Sequence, residues 1–210
     1  MSKLLDFQFL KKQPAQPVPE PKEPAPEKGD ELRLKLYRLI IDRYREEIEA
    51  HETKSVSDLK ALILPRGEKI IEIRDSILGS FRPYIYQEHF LPASRMCQSF
   101  VSSFKTVQLP VSFWLDFAEM KQLMAGDEIE KSILLCSLLR SIGSENAKVI
   151  VTDAKSSYVA FEYNGKQYLA GHQSAELSEF PGWQECLAAI KGKAIYSFND
   201  NEYEDFQEAD

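Results

Sequence analysis

The feature that most constrains the fold is an apolar helix predicted near the middle of the chain, in residues 125–143, "AGDEIEKSILLCSLLRSIG". Asp127 and Glu130, three residues apart, form the capping-box pattern that begins a helix. The residues after them are apolar on nearly every side of such a helix, which indicates burial in the centre of a domain. Gly143 provides the left-handed residue at which the helix is expected to end.

Other helices are predicted on the N-terminal side of this central helix. Residues 31–52 place apolar side chains at a spacing of about 3.6 residues, which is typical of an amphipathic helix. Its apolar positions are Leu32, Leu36, Leu39, Ile40, Tyr44 and Ile48. Shorter helices are predicted within residues 55–65, 67–81 and 112–126, and residues 84–110 are interpreted as a mixture of helix and loop.

After the central helix the apolar period changes to two, which predicts β-strands. Strands are predicted in residues 147–153, 157–164, 166–172 and 193–200, with a short helix in residues 181–192. The sequence Asn164-Gly165 between two of them predicts a tight hairpin turn. Helices followed by strands in this order predict an α+β fold, with an antiparallel sheet packed on the central helix.

The two ends of the chain differ in composition from the predicted domain, which we place at residues 31–199. Residues 1–30 are an apolar peptide followed by a Pro/Glu-rich linker that is expected to be extended and disordered. The peptide has five apolar residues, Leu4, Leu5, Phe7, Phe9 and Leu10, which either dock onto a partner or pack back onto the chain's own domain. Residues 200–210 contain six acids and no base, which favours a solvated tail. Tyr203 and Phe206 leave open a docking role for that tail towards a basic partner.

Charge and composition exclude several classes of function. The net charge is −7 and the sequence has no basic stripe, so nucleic-acid binding is not expected. No apolar run approaches the roughly 20 residues that a membrane span needs. Three widely spaced cysteines fit a reducing, cytoplasmic setting and argue against disulfides or a zinc site. No phosphate-binding glycine loop is present, and no cofactor is expected.

Two stretches, "GDEIEKSILLCSLLRSIGSENAKVIV" and "SSYVAFEYNGKQYLAG", resemble the transglutaminase-like, papain-like family of thiol enzymes, over about residues 67–200. Members of that family read Gly-Asp-Cys-x-Asp/Glu-Lys-Ser/Ala, then an apolar run ending Leu-Leu-Arg-x-x-Gly. A strand with His-x-Trp/Tyr-Val comes next, and then a strand ending in Asp-Pro. The resemblance implies a papain-like core in which a helix N-terminus stabilises a thiolate. It further implies a histidine that deprotonates the thiol and an aspartate that orients the histidine.

The reactive groups of that family are absent from the matching positions. Glu128 occupies the cysteine position, and Ser156 occupies the histidine position, or Ser157 if the register slips by one. Gly171, beside His172, occupies the aspartate position. The resemblance therefore implies a catalytically inactive domain, a pseudoenzyme, whose former active-site groove binds a protein or peptide. The expected groove residues are Asp127, Glu128, Ser156, Ser157, Tyr158, Gly171, His172 and Trp114.

Alternatives to an inactive binding module stay open at this point. One is an active cysteine hydrolase or acyl transferase whose nucleophile is Cys97, Cys136 or Cys186, with His172 or His89 as its base. Another is a purely structural subunit whose groove is filled by its own loops. A metal site formed by the acids at residues 127–130 is disfavoured, because carboxylates at a helix N-terminus already interact favourably with the helix dipole.

Overall fold

The computed structural model describes residues 28–108, 111, 113–171 and 176–206. The chain forms two compact units, Met1–Asp42 and Arg43–Asp210. Only residues 28–42 of the first unit are described, and they are helical throughout. The apolar N-terminal peptide and most of the predicted linker lie outside the described residues.

The described residues include seven helices, and α6 is the central helix that the sequence predicts. They are α1 (Lys28–Glu52), α2 (Val56–Leu62), α3 (Glu68–Leu78), α4 (Tyr86–Ser102), α5 (Phe117–Leu123), α6 (Glu128–Ser141) and α7 (Trp183–Ala188). Helix α1 begins three residues before the predicted domain boundary at residue 31. Within the described residues, no helix is long and apolar enough to cross a membrane.

Two sheets are present among the described residues. A two-stranded parallel sheet pairs β1 (Lys105–Thr106) with β2 (Ala125–Gly126). The main sheet has the order β6-β5-β4-β3-β7-β8, and every neighbouring pair is antiparallel. Its strands are β3 (Lys148–Thr152), β4 (Ser157–Tyr163), β5 (Lys166–Ala170), β6 (Leu177–Phe180), β7 (Ala194–Phe198) and β8 (Tyr203–Asp205). Helices followed by an antiparallel sheet confirm the predicted α+β fold.

The main sheet is covered on both faces. Val159, Phe161 and Tyr168 belong to the larger core, which they share with buried residues of α3, α4 and α6. Ala160 and Leu169, which alternate with them along the strands, belong to a smaller core beneath α7. Helix α6 packs against α3, α4 and the sheet, and its ten residues from 130 to 139 are all buried. This central position explains why its sequence is apolar on nearly every side.

The two outer strands of the sheet differ from the sequence prediction. Strand β6 was not predicted, because its sequence, "LSEF", shows little alternation. Strand β8 corrects the expectation that residues 200–210 form a solvated tail. Tyr203 stacks on Tyr196 with ring centroids 5.7 Å apart, and the Phe206 N–H donates to the Ile195 carbonyl oxygen at 2.8 Å. Aromatic contacts and backbone pairing thus order residues that their like charges alone would keep in solvent, while residues 207–210 lie outside the described part.

Candidate functional site: a groove at the N-terminal end of α6

The N-terminal end of α6 is fixed by the capping box that the sequence predicts. The Glu130 N–H donates to the Asp127 carboxylate at 2.8 Å, and the Asp127 N–H donates to the Glu130 carboxylate at 2.8 Å. The other Glu130 carboxylate oxygen accepts from the Leu115 N–H at 2.5 Å, which ties the preceding loop to the helix. Burial raises the pKa of both carboxyls, and these backbone hydrogen bonds partly oppose the shift. The two acids therefore hold the backbone at this end of the helix.

A groove of about 300 Å³ opens beside this helix end. Glu128 enters it from the first turn of α6, Ser156, Ser157 and Tyr158 from the start of β4, and Gly171 from the end of β5. Its remaining lining residues are Leu169, Glu176, Ser178, Phe180, Ala189 and Lys191. Five of the eight residues expected in the groove thus line it, including Glu128, Ser156 and Gly171, to which the sequence resemblance assigned the reactive positions.

Two residues of the expected groove set, Asp127 and Trp114, do not line it. Asp127 serves as the helix cap instead. Trp114 lies in a separate cavity of about 100 Å³ beside Leu62, Phe117 and Ile133, so its placement in the groove was wrong. The Trp114 indole N–H donates to the Glu52 carbonyl oxygen at 3.0 Å, which holds the ring against the end of α1. His172 lies outside the described residues, as do the five apolar residues of the N-terminal peptide.

The groove wall is built from hydroxyl and backbone contacts. The Ser132 hydroxyl donates to the Ser157 hydroxyl at 3.0 Å, which joins α6 to β4 immediately behind the groove. The Tyr158 hydroxyl accepts from the Lys191 N–H at 3.1 Å and so ties β4 to the segment after α7. The Gly171 carbonyl oxygen accepts from the Gln98 side-chain amide at 2.8 Å. These contacts connect the groove wall to α6, to α4 and to the segment after α7.

The glycine at position 171 is not required by packing. A Cβ atom built on Gly171 would lie 3.6 Å from the Tyr158 ring, which is ordinary van der Waals contact. An alanine side chain therefore fits at position 171.

Lys131 is a feature of the site that sequence reasoning did not single out. Its side chain is 1% exposed, and its ammonium donates to the Phe104 carbonyl oxygen at 2.9 Å and to the Thr106 hydroxyl at 3.0 Å. Burial lowers the pKa of Lys131, and the nearby Glu128 carboxylate opposes that shift. The only signal in the sequence was the Lys-Ser pair of the family pattern, at positions 131 and 132.

The three cysteines lie inside the fold, and none of them lines the groove. Cys97, Cys136 and Cys186 are each 0% exposed. Burial raises the pKa of Cys97 to about 12 and that of Cys186 to about 11, and it raises the pKa of Cys136 further. High thiol pKa values and closed surroundings are the opposite of an activated nucleophile.

The histidine proposed as a base for Cys97 is engaged elsewhere. His89 lies two turns before Cys97 on α4, and its Nδ1 accepts from the Ile85 N–H at 3.0 Å. Its ring packs against Phe81 with centroids 5.2 Å apart. His89 therefore caps the beginning of α4, and its Nδ1 is committed to that backbone contact.

Among the described residues, no three His, Cys, Asp or Glu side chains are grouped as ligands of a metal ion.

Comparison with known proteins finds similarity only at the level of solved structures. No family model matches the chain, and no curated protein matches it. The chain is similar to calcium-bound LapG of Legionella pneumophila, with 13% identity and a TM-score of 0.48 over 73% of this chain and 89% of that one. A second structure of LapG gives 13% identity and a TM-score of 0.48, with 72% and 86% covered. EGTA-treated LapG gives 13% and 0.46, again with 72% and 86% covered. The roles of residues in the groove accordingly rest on this chain's own geometry.

Proposed function

We propose that this is a transglutaminase-like domain without thiol catalysis, whose groove at the N-terminal end of α6 binds a peptide segment of a protein partner. The observation that carries the proposal is the convergence of Glu128, Ser156 and Gly171 on one groove, while all three cysteines are buried elsewhere. In this proposal the scaffold is retained at the positions that the sequence resemblance assigns to the reactive groups, and the reactive side chains are replaced.

The chemistry of the groove supports binding over catalysis. A thiol mechanism needs a thiolate at the helix N-terminus and a base within hydrogen-bonding distance of it. Glu128 provides a carboxylate there, which the helix dipole stabilises as an anion. The Ser157 hydroxyl accepts a hydrogen bond from the Ser132 hydroxyl at 3.0 Å.

The lining of the groove indicates what kind of peptide fits. Glu128 and Glu176 provide negative charge, Lys191 provides one positive charge, and the rings of Tyr158 and Phe180 provide apolar surface. The volume of about 300 Å³ lies at the lower end of the range for ligand sites, so the groove accommodates a short segment. A short peptide with a basic side chain directed at Glu128 matches both the carboxylate and the volume of the groove.

A peptide-display selection on the full chain tests the proposal. We expect the selected peptides to be enriched in Lys or Arg, and we expect Glu128→Lys to weaken their binding at least about tenfold, since reversing a charge at close range costs more than about 1.4 kcal/mol. Glu145→Lys is the matched control, because Glu145 is an exposed acid at the other end of α6. Equal binding of the same peptides by both variants and the native chain would place the binding surface outside this groove.

Thiol labelling separates this proposal from the enzyme alternative. Cys186 has the lowest raised thiol pKa, about 11. Its thiolate fraction near pH 8.5 is therefore about 100-fold below that of a free thiol, before its burial slows access further. We expect iodoacetamide, followed by mass mapping between pH 5 and 9, to label all three cysteines slowly. Rapid labelling of one cysteine in the folded protein below pH 7 would instead identify an activated nucleophile.

A further inference from the structure

Helix α1 exposes a row of aliphatic side chains along its first half. Leu32, Leu36 and Leu39 are 71%, 53% and 67% exposed, and Ile40 is 46% exposed. Their spacing places them on one face of the helix. An aliphatic row of this kind on a surface marks a contact with another molecule.

The same face continues into the second half of α1 with different chemistry. At three- and four-residue spacing after Ile40 come Arg43, Glu47 and Ala50. Ala50 is small and exposed, so it presents a shallow place on the helix surface. Ile48 and Glu52, on the opposite side of the helix, are half-buried. Over residues 31–40 the helix is exposed on every side, and Leu34 and Tyr37, which lie off this face, are 55% and 56% exposed.

The charges of α1 are divided between its two halves. Residues 31–41 contain three bases and one acid, a net charge of +2, and residues 42–52 contain two bases and five acids, a net charge of −3. A parallel pair of such helices would place like charges together, whereas an antiparallel pair places each basic half beside an acidic half. Complementary flanking charges of this kind set the orientation of paired helices.

We propose that two copies of the chain associate through antiparallel packing of their α1 helices along this face. With the helices crossing near residue 41, Leu32 of one copy lies opposite Ala50 of the other. Lys35 then lies opposite Glu47 of the second copy. The arrangement is two-fold symmetric, so each of these contacts forms twice.

The first test is the mass of the full chain in solution, measured by light scattering at about 100 µM, where even weak pairs form. We expect twice the chain mass of 24.1 kDa for the native protein and the single mass for a Leu36→Glu, Leu39→Glu double variant. Leu123→Glu, at a leucine that is 60% exposed on α5, is the matched control and should keep the doubled mass. A native mass of 24.1 kDa, or a doubled mass retained by the double variant, would overturn the proposal.

Disulfide trapping tests the orientation. Protein carrying Leu32→Cys is mixed with protein carrying Ala50→Cys and oxidised, and we expect a covalent dimer that joins the two different variants. Leu32→Cys protein alone should cross-link at least about tenfold less, because antiparallel packing separates the two copies of residue 32 by roughly 27 Å along the helix axis at 1.5 Å per residue. The three native cysteines are 0% exposed and do not compete. Equal cross-linking of Leu32→Cys protein with itself would contradict the antiparallel arrangement.

Discussion

Two glutamates in the first turn of α6 have different surroundings and therefore different expected roles. The Glu130 side chain is 2% exposed, and its carboxylate accepts two backbone N–H groups. The Glu128 side chain lines the groove. Removing the first should affect stability, and removing the second should affect binding.

We expect Glu130→Ala to lower the free energy of unfolding by about 1–3 kcal/mol, because two N–H groups lose their acceptor in a partly buried setting. Glu128→Ala, the matched control, should change it by no more than about 0.5 kcal/mol. Urea denaturation measures both. A similar loss for the two variants would show that the capping hydrogen bonds are not the cause.

The difference in unfolding free energy between the native chain and Glu130→Ala should depend on pH, in a direction that follows from the pKa shift of Glu130. Burial raises the pKa of Glu130 above its ordinary value of 4.5. The folded chain therefore takes up this proton before the unfolded chain does, and the contribution to stability is complete below the unfolded-state pKa and lost as the pH rises through the folded-state pKa. The stability difference between the native chain and Glu130→Ala should grow as the pH is lowered from 7 towards 4.5.

Restoring the cysteine alone should not restore a reaction. Glu128→Cys places a thiol at a helix N-terminus, but the register given by the sequence resemblance puts serine and glycine at the positions of the base and its orienting group. We expect its hydrolysis of an activated ester to equal that of Glu128→Ala. A clear excess over that control would mean that another side chain serves as the base, and it would refute the assignment of these positions.

At the scale of elements, Gly143 after α6 is required both by its backbone conformation and by its close approach to Tyr86. Gly143 has a φ of +114°, and a Cβ atom there would lie 2.9 Å from the Tyr86 ring. Gly165, in the turn between β4 and β5, has a φ of +72°, and a Cβ atom there would meet nothing within 4 Å. The first position combines backbone strain with a steric clash, and the second has backbone strain alone.

We therefore expect Gly165→Ala to cost about 1–2 kcal/mol, the usual penalty for a left-handed residue with a side chain. Gly143→Ala should cost a further 1–3 kcal/mol, roughly, as at other overpacked sites. Tyr86 cannot yield easily, because its ring packs on Phe90 at 4.7 Å and on Tyr163 at 5.7 Å. Chemical denaturation of the two variants side by side gives the difference, and equal losses would show that Tyr86 moves freely.

Elements with strong local signals were predictable from the sequence, and elements that depend on distant contacts were not. The capping box at Asp127 and the turn at Asn164-Gly165 are encoded within a few residues, and the structure has both. Residues 84–110 were interpreted as helix and loop, and in their described part α4 is followed by a turn and β1. Helix α4 runs unbroken through Pro92. Its buried residues pack into the main core, and this tertiary packing outweighs the local penalty of the proline.

The residues of the groove could be predicted only where the family's motif could be aligned with this sequence. Glu128, Ser156 and Gly171 are far apart in sequence, and no periodicity relates them. The resemblance aligned them, and they line one groove. Trp114 had no such alignment, and its hydrogen bond to Glu52, 62 residues earlier, cannot be inferred from local sequence.

At the scale of the whole molecule, the acidic C-terminal residues are partly built into the fold. The Glu204 carboxylate pairs with the Lys148 ammonium at 3.0 Å, and the same ammonium lies 4.3 Å from the centroid of the Trp183 ring. Lys148 on β3 thus connects β8, at one edge of the sheet, with α7 on its face. Strand β8 consequently belongs to the domain, and a free acidic docking segment is limited to the residues after this strand.

Deletion of the N-terminal apolar peptide tests whether it packs on its own domain. Deleting residues 1–27 should change the melting temperature by less than about 2 °C, corresponding to under 1 kcal/mol for a chain of this size. The reason is that both hydrophobic cores consist of residues after position 62, and the linker is too polar to bury apolar area. A loss of several degrees would mean that Leu4, Phe7 and their neighbours pack on their own domain.

The same deletion distinguishes docking within the chain from docking onto a partner. If the peptide occupies the groove of its own chain, a labelled peptide of residues 1–12 should bind the shortened chain more tightly than the full chain, because the competing segment is gone. Fluorescence anisotropy measures this difference, with Glu128→Lys in the shortened chain as the control for the groove. We expect no binding of this peptide to either chain, since its three lysines, Lys3, Lys11 and Lys12, lie near its two ends and are separated by the apolar stretch that contains Phe7 and Phe9. Its docking site then lies on the partner, and the groove stays available for a basic segment of that partner.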